Sequence, residues 1–187
     1  MKKRSQMRDI WKRFRSNKLA MAGLIIVAVI VLSAVFANFI APYDYDKQSF
    51  PDRFLMPSAA HPFGTDNYGR DLFSRVLYGG RVSLLVSLLG LLISVGIGSI
   101  FGATAGYFGG LYETIVMRVM DIIMAVPGTL MAVSVSALLG TGVWQTAVAV
   151  SIGGIAPSAR MLRATVLTIK DQEYVEAARV TGASDLR

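Results

Sequence analysis

The sequence predicts an all-α protein, a polytopic bundle of membrane-spanning helices. Two observations carry this. Of 187 residues, 53% are hydrophobic and only 17% charged, with a mean hydropathy of +0.52; soluble domains usually carry about a quarter charged residues. Charges are also missing from three long runs, residues 19–41, 82–112 and 122–159. A spanning helix needs roughly 20 apolar residues, so these runs set the count of crossings.

The first run follows a basic segment. Lys2, Lys3, Arg4, Arg8, Lys12, Arg13, Arg15 and Lys18 face Asp9 alone, so residues 1–18 hold the whole formal net charge of +7. A nucleic-acid binder would spread that charge over a folded surface. Placed directly before an apolar run, it marks the cytoplasmic side of a membrane and favours anionic headgroups. At 23 residues the run exceeds the roughly 7–15 of a signal-peptide core, which makes residues 19–41 an uncleaved first span.

Residues 42–81 are polar, with Pro42, Pro51, Pro57 and Pro62 and five acids balancing five bases. They read as a partly ordered extracytoplasmic loop. Its carboxylates, Asp44, Asp46, Asp52, Asp66 and Asp71, could form an acid/base pair, but solvated turn and cap residues are the commoner outcome in a Pro-rich loop.

The second span is expected over residues 82–106. Ser94, Gly98, Gly102 and Gly106 recur there every four residues and make a smooth stripe for a closely packed helix. The charge-free stretch 122–159 would be about 57 Å long as one helix, too long for one crossing. "LGTGVW" supplies a glycine turn that divides it, giving a third span over residues 112–139 and a fourth over 143–169. Arg118 and Asp121 lie three apart on one face of the third span, as an interfacial salt bridge or a gate element. Pro127 and Pro157 either kink helices that line a cavity or accommodate packing. Arg160 and Arg163 can snorkel to the interface. With both basic ends inside, four crossings satisfy the positive-inside rule.

Catalytic signatures are missing. The phosphate-binding G-x-x-x-x-G-K-[ST] does not occur, nor do G-x-S-x-G and H-E-x-x-H, so an enzyme with its own ATPase site is not expected. Without Cys, and with His61 as the one histidine, a His/Cys metal site is not expected either. A secondary transporter or channel would place ionisable groups deep in the membrane; the first two spans hold none.

After the spans comes a polar helix, "KDQEYVEAARVTGASDLR". Asp171 and Glu173 suit its amino-terminal turn and Arg179 its last turn. Tyr174, Ala177, Ala178 and Thr181 form a narrow face of mostly small side chains. Gly182 is the natural left-handed stop, and Ser184 is placed to cap a second helix. Such a thin face can enter a partner's groove.

Glu176-Ala177-Ala178 followed by Gly182 resembles the EAA-xxx-G loop of permease subunits in binding-protein-dependent ABC importers. "NKLAMAGLIIV", "FIAPYD", "HPFGTDNYGRDLFSRVLYGGRVSL", "AGYFGG", "MRVMDIIMAVP" and "DQEYVEAARVTGASDLR" resemble, in order, the C-type branch of the dipeptide/oligopeptide/nickel permease family. The resemblance covers residues 17–187. It implies a type I ABC importer permease fold and import of peptides or related small solutes. It also implies a prokaryotic plasma (inner) membrane location, a homologous second permease, two cytoplasmic ATPase subunits that bind the ATP, and an extracytoplasmic substrate-binding protein. Glu176, Ala177, Ala178 and Gly182 would be the ATPase-coupling residues. Members of the family continue through an I-x-LP segment and two more spans, so four of six spans are expected here and the coupling loop is expected to be incomplete. The rival readings are a self-contained secondary transporter or channel, and a non-transporting scaffold or truncated fragment.

Overall fold

The structure, a computed structural model, describes residues 6–183, and among them eight α-helices and no strand beyond one isolated bridge between Thr65 and Asp71. The fold is all-α. The chain divides into two compact units, Met1–Leu84 and Leu85–Arg187.

In the first unit α1, Gln6–Ser16, precedes α2, Lys18–Val35, and the four-residue α3, Ala37–Ile40. Asn17 separates α1 from α2 and caps the latter: its side-chain oxygen accepts from the Leu19 and Ala20 amides at 3.1 and 3.2 Å. Leu24, Ile25, Ile26, Val27, Val29 and Ile30 are all exposed on α2. Burial against protein does not account for so apolar a helix, whereas a lipid environment does.

Residues 41–71 are an ordered loop with a short 3-10 turn at Phe50–Asp52. The expectation of solvated loop carboxylates is overturned at Asp71, which is buried. Its Oδ2 accepts from the Ser74 amide at 2.7 Å, capping α4, Leu72–Phe108, and its Oδ1 lies 3.0 Å from His61 Nδ1. This long helix therefore begins at Leu72, well before the expected span at residues 82–106. Arg81, on its first turns, donates to the α2 carbonyls of Ala34 (3.1 Å) and Val35 (2.8 Å) and to Asn38 Oδ1 (3.1 Å). A guanidinium there satisfies carbonyls left open at a helix carboxyl end.

In the second unit the rest of α4 is followed by α5, Gly110–Ala125, α6, Gly128–Leu139, α7, Val143–Lys170, and α8, Glu173–Val180. The expected third span, residues 112–139, is two helices bent by 88°. Val126 is extended (φ −91°, ψ 128°), the conformation that a following proline favours, and the Pro127 carbonyl starts the α6 ladder through the Met131 amide. Pro157 lies inside α7 without interrupting it. By length and composition α2 and α4 can each cross a membrane, and α5 with α6 adds a third crossing if the bent pair is one. α7 is long enough at 28 residues, but it buries small side chains such as Ala147, Ala149, Ser151, Ala156 and Ala159 against protein. The core is correspondingly thin: Ala105, Val116, Met120, Ala156 and Ala159, with Met117, Ile123 and Ile155 partly buried around them.

Candidate functional site

α8 forms a short polar helix directly after α7. Asp171 ends α7 as its C-cap, so the acids in the first turn of α8 are Glu173 and Glu176, and Asp171 is not among them as the sequence suggested. Gly182 has φ +82°, and the Ala183 amide donates to the Ala178 carbonyl at 3.0 Å. That six-to-one bond over a left-handed glycine is the Schellman stop. Tyr174, Glu176, Ala177, Ala178 and Thr181 are exposed. The narrow face is thus free of contacts that would hide it, and small side chains let another backbone come close. Ser184 lies outside the described residues.

Above α8, the Lys170 ammonium donates to the Tyr107 carbonyl at 2.8 Å, tying the end of α7 to the end of α4. Along these two helices the small-residue stripe is packed closely. A Cβ added at Gly98 would lie 2.6 Å from the Ile155 carbonyl oxygen, and one at Gly102 would overlap the Ala159 carbonyl. At Gly106 it would come within 3.0 Å of the Arg163 carbonyl, while Ser94 faces Gly154. Backbone-to-backbone approach of this kind needs a hydrogen at the contact point.

Charged residues join α5 to α7. Arg160 reaches Asp121 at 2.5 Å, and Arg163 pairs with Glu113. The expected Arg118–Asp121 bridge is only a 3.8 Å contact, and the Arg118 side chain is 79% exposed. Carboxylates from another helix hold both Arg160 and Arg163. Glu113, Thr114, Met117, Arg118, Asp121 and Arg163 line an open cleft of ≈ 400 Å³. Pro127 lies at the break after α5 and Pro157 within α7, and neither is among the residues of this cleft. The pairing was hidden from sequence because the partners are 39 and 50 residues apart. Among the described residues no His/Cys/Asp/Glu group is arranged to hold a metal ion.

The polar loop carries its own network, which spacing alone did not reveal. Asp66 accepts from the Tyr68 and Arg70 amides and pairs with the Arg70 and Arg75 guanidiniums at 2.8 and 2.7 Å. Burial pushes its carboxyl up, but the Arg70 and Tyr68 amides and the Arg70 charge outweigh that and hold it below the usual carboxylate value. Asp71 behaves likewise: burial raises it, while the Ser74 amide and hydroxyl and then His61 bring it below the ordinary value. Tyr43 stacks on His61 with ring centroids 4.9 Å apart. At Gly69 (φ +71°) an added Cβ would overlap the Ser49 carbonyl, so this turn admits only glycine.

Two protein-family models match the chain. The N-terminal TM domain of oligopeptide transport permease C matches residues 5–57, and the binding-protein-dependent transport system inner membrane component matches residues 98–187. The dipeptide transport system permease protein of Bacillus subtilis is 41% identical over 183 residues, covering 98% of this chain and 57% of its own length. The oligopeptide transport system permease protein of the same organism is 40% identical over 183 residues, covering 98% and 60%. The glutathione transport system permease protein of Escherichia coli O6:K15:H31 is 39% identical over 184 residues, covering 98% and 61%. The chain thus spans 57% to 61% of the length of these relatives. With two apolar helices able to cross a membrane, a third crossing if the bent pair is one, and both family models matched in order, this integral membrane protein carries the amino-terminal domain of oligopeptide transport permease C followed by the inner membrane component domain of binding-protein-dependent transport systems.

Proposed function

We propose that the chain is part of a permease subunit of an ATP-driven importer of dipeptides, oligopeptides or related small solutes. It lies in a prokaryotic plasma membrane with its amino terminus cytoplasmic. Crossings at residues 19–41, 82–106, 112–139 (as the bent pair) and 143–169 contribute to the translocation pathway. A homologous permease completes that pathway, an external binding protein delivers the solute, and two separate ATPase subunits bind the ATP.

The observation that carries the reading is α8. A two-turn helix with an exposed face of small side chains, closed by a left-handed glycine, stands directly on the end of α7. Glu176, Ala177, Ala178 and Gly182 are its coupling residues: the alanines admit a groove wall, and Gly182 fixes where the helix stops. α7 is tied to α4 through Lys170 and Tyr107 and to α5 through Arg160 and Arg163. A force applied to α8 therefore reaches three helices. The relatives' names, dipeptide, oligopeptide and glutathione transport, support the solute class.

The test is site-directed crosslinking. Ala178→Cys, co-expressed with candidate ATPase subunits carrying single cysteines along their membrane-facing grooves, should crosslink in a manner that changes with ATP. Ser58→Cys should label from outside with an impermeant thiol reagent. Absence of any crosslink at Ala178, with normal solute uptake, would remove the docking role; labelling of Ser58→Cys only in inverted vesicles would reverse the orientation.

A further inference from the structure

We propose that α1 is a surface helix that docks on anionic lipid, at the leaflet where α2 enters the membrane. Ile10 and Trp11 are 62% and 55% exposed, and Trp11 stacks on Phe14 with centroids 5.9 Å apart. At about 100° per residue, Ile10, Phe14 and Trp11 fall within roughly one third of the helix circumference. Arg13 flanks this arc beside Ile10, Arg15 flanks it beside Trp11, and Lys12 lies on the far side. All three bases are exposed. A soluble protein would bury such an arc, whereas here Ile10 and Trp11 are left open and Phe14 is half-buried.

The occupant follows from charge and continuity. Cations on both edges of an apolar arc match a layer with acyl chains below and negative headgroups beside them. Tryptophan is the side chain best suited to that depth, because its ring is apolar and its N–H seeks a polar neighbour. Only Asn17 separates α1 from α2, the apolar helix that can cross a membrane. A one-residue break leaves α1 no distance in which to leave the bilayer surface. Arg13 and Arg15 then pair with lipid phosphates on either side of the helix, and Trp11 anchors it.

The full chain, with Trp144→Phe so that Trp11 is the sole tryptophan, can be reconstituted in phosphatidylcholine alone or with phosphatidylglycerol as a minor component. In the anionic membrane Trp11 emission should move to shorter wavelength and be quenched by lipids brominated high on the acyl chain. Arg13→Gln and Arg15→Gln should each weaken that shielding by about fivefold, as expected for roughly 1 kcal/mol per basic residue at the surface. Lys12→Gln should weaken it less. Equal shielding in both lipids, or equal loss from all three substitutions, would overturn the docked geometry. Shielding that follows protein-to-lipid ratio instead of lipid charge would assign the arc to a second copy and overturn the proposal as well.

Discussion

Arg160 on α7 holds Asp121 on α5 at 2.5 Å, while Arg118, three residues from Asp121 on the same helix, stands at 3.8 Å. The carboxylate serves the neighbouring helix more than its own. A double-mutant cycle should therefore give a coupling of about 0.5–1 kcal/mol for Asp121 with Arg160 and near zero for Asp121 with Arg118. Thermal unfolding in detergent would measure it. A larger coupling for the Arg118 pair would show that the interhelical bond is not the one that matters.

Gly102 offers a sharper packing test. Gly102→Ala places a methyl group against the Ala159 carbonyl and should cost about 1–3 kcal/mol as α4 and α7 separate. Gly96→Ala, on the same helix with nothing within 4 Å of the added carbon, should be neutral or slightly stabilising. Equal yields and melting temperatures of the two variants would mean that α4 does not rest on α7 at this point.

Asp66 and Asp71 tie the loop to pH. Both carboxyls lie below their ordinary value in the folded chain. The unfolded chain therefore takes up protons first as pH falls through about 4. The stabilisation is present above that value and is lost as pH drops through the lowered folded values. Unfolding midpoints should fall across this acid window. Asp71→Ala, which also removes the α4 cap, should cost about 1 kcal/mol at neutral pH and flatten the acid limb. An unchanged acid slope would locate the sensitivity elsewhere.

Arg81 is expected to be costly to replace, because it serves two carbonyls at the end of α2 and the Asn38 amide oxygen together. Arg81→Met should destabilise by about 1–2 kcal/mol. Arg81→Lys should recover only part of the loss, since one ammonium cannot reproduce a three-nitrogen fork. Full recovery with lysine would mean that charge alone matters.

Gly182→Val tests the α8 stop. At φ +82° a β-branched residue is strained by about 1–3 kcal/mol, so the Ala183-to-Ala178 bond should open and the last turn of α8 should exchange its amides faster. Glu173→Gln is the control, an exposed first-turn residue that leaves the stop intact. Identical exchange at Ala183 in both variants would show that the glycine is not what ends the helix.

How much of this was legible depends on how local each signal is. Gly182 announces the end of α8 within a few residues, because helix stops are local chemistry. The glycine stripe was legible for the same reason: spacing of four puts Gly98 and Gly102 on one face whatever they meet. The break after α5 was not. Pro127 lies in a run without charges, where a kinked single helix and two separate helices look alike. The pairs of Arg160 with Asp121 and Arg163 with Glu113 were hidden too, since only the fold brings α5 beside α7. In the loop, Asp71 read as one of five turn or cap carboxylates, and its contact with His61, ten residues away, emerged only once the chain folded back.

The bend at Val126 and Pro127 has a consequence for what can lie beside it. The last carbonyls of α5 and the first amides of α6 have no partner within their own helices. Hydrocarbon offers neither donors nor acceptors, so an interrupted backbone at bilayer depth cannot face acyl chains. If α5 and α6 lie within the membrane, their elbow must therefore point toward protein, trapped water or a passing polar solute. At this elbow the backbone itself dictates the choice of neighbour.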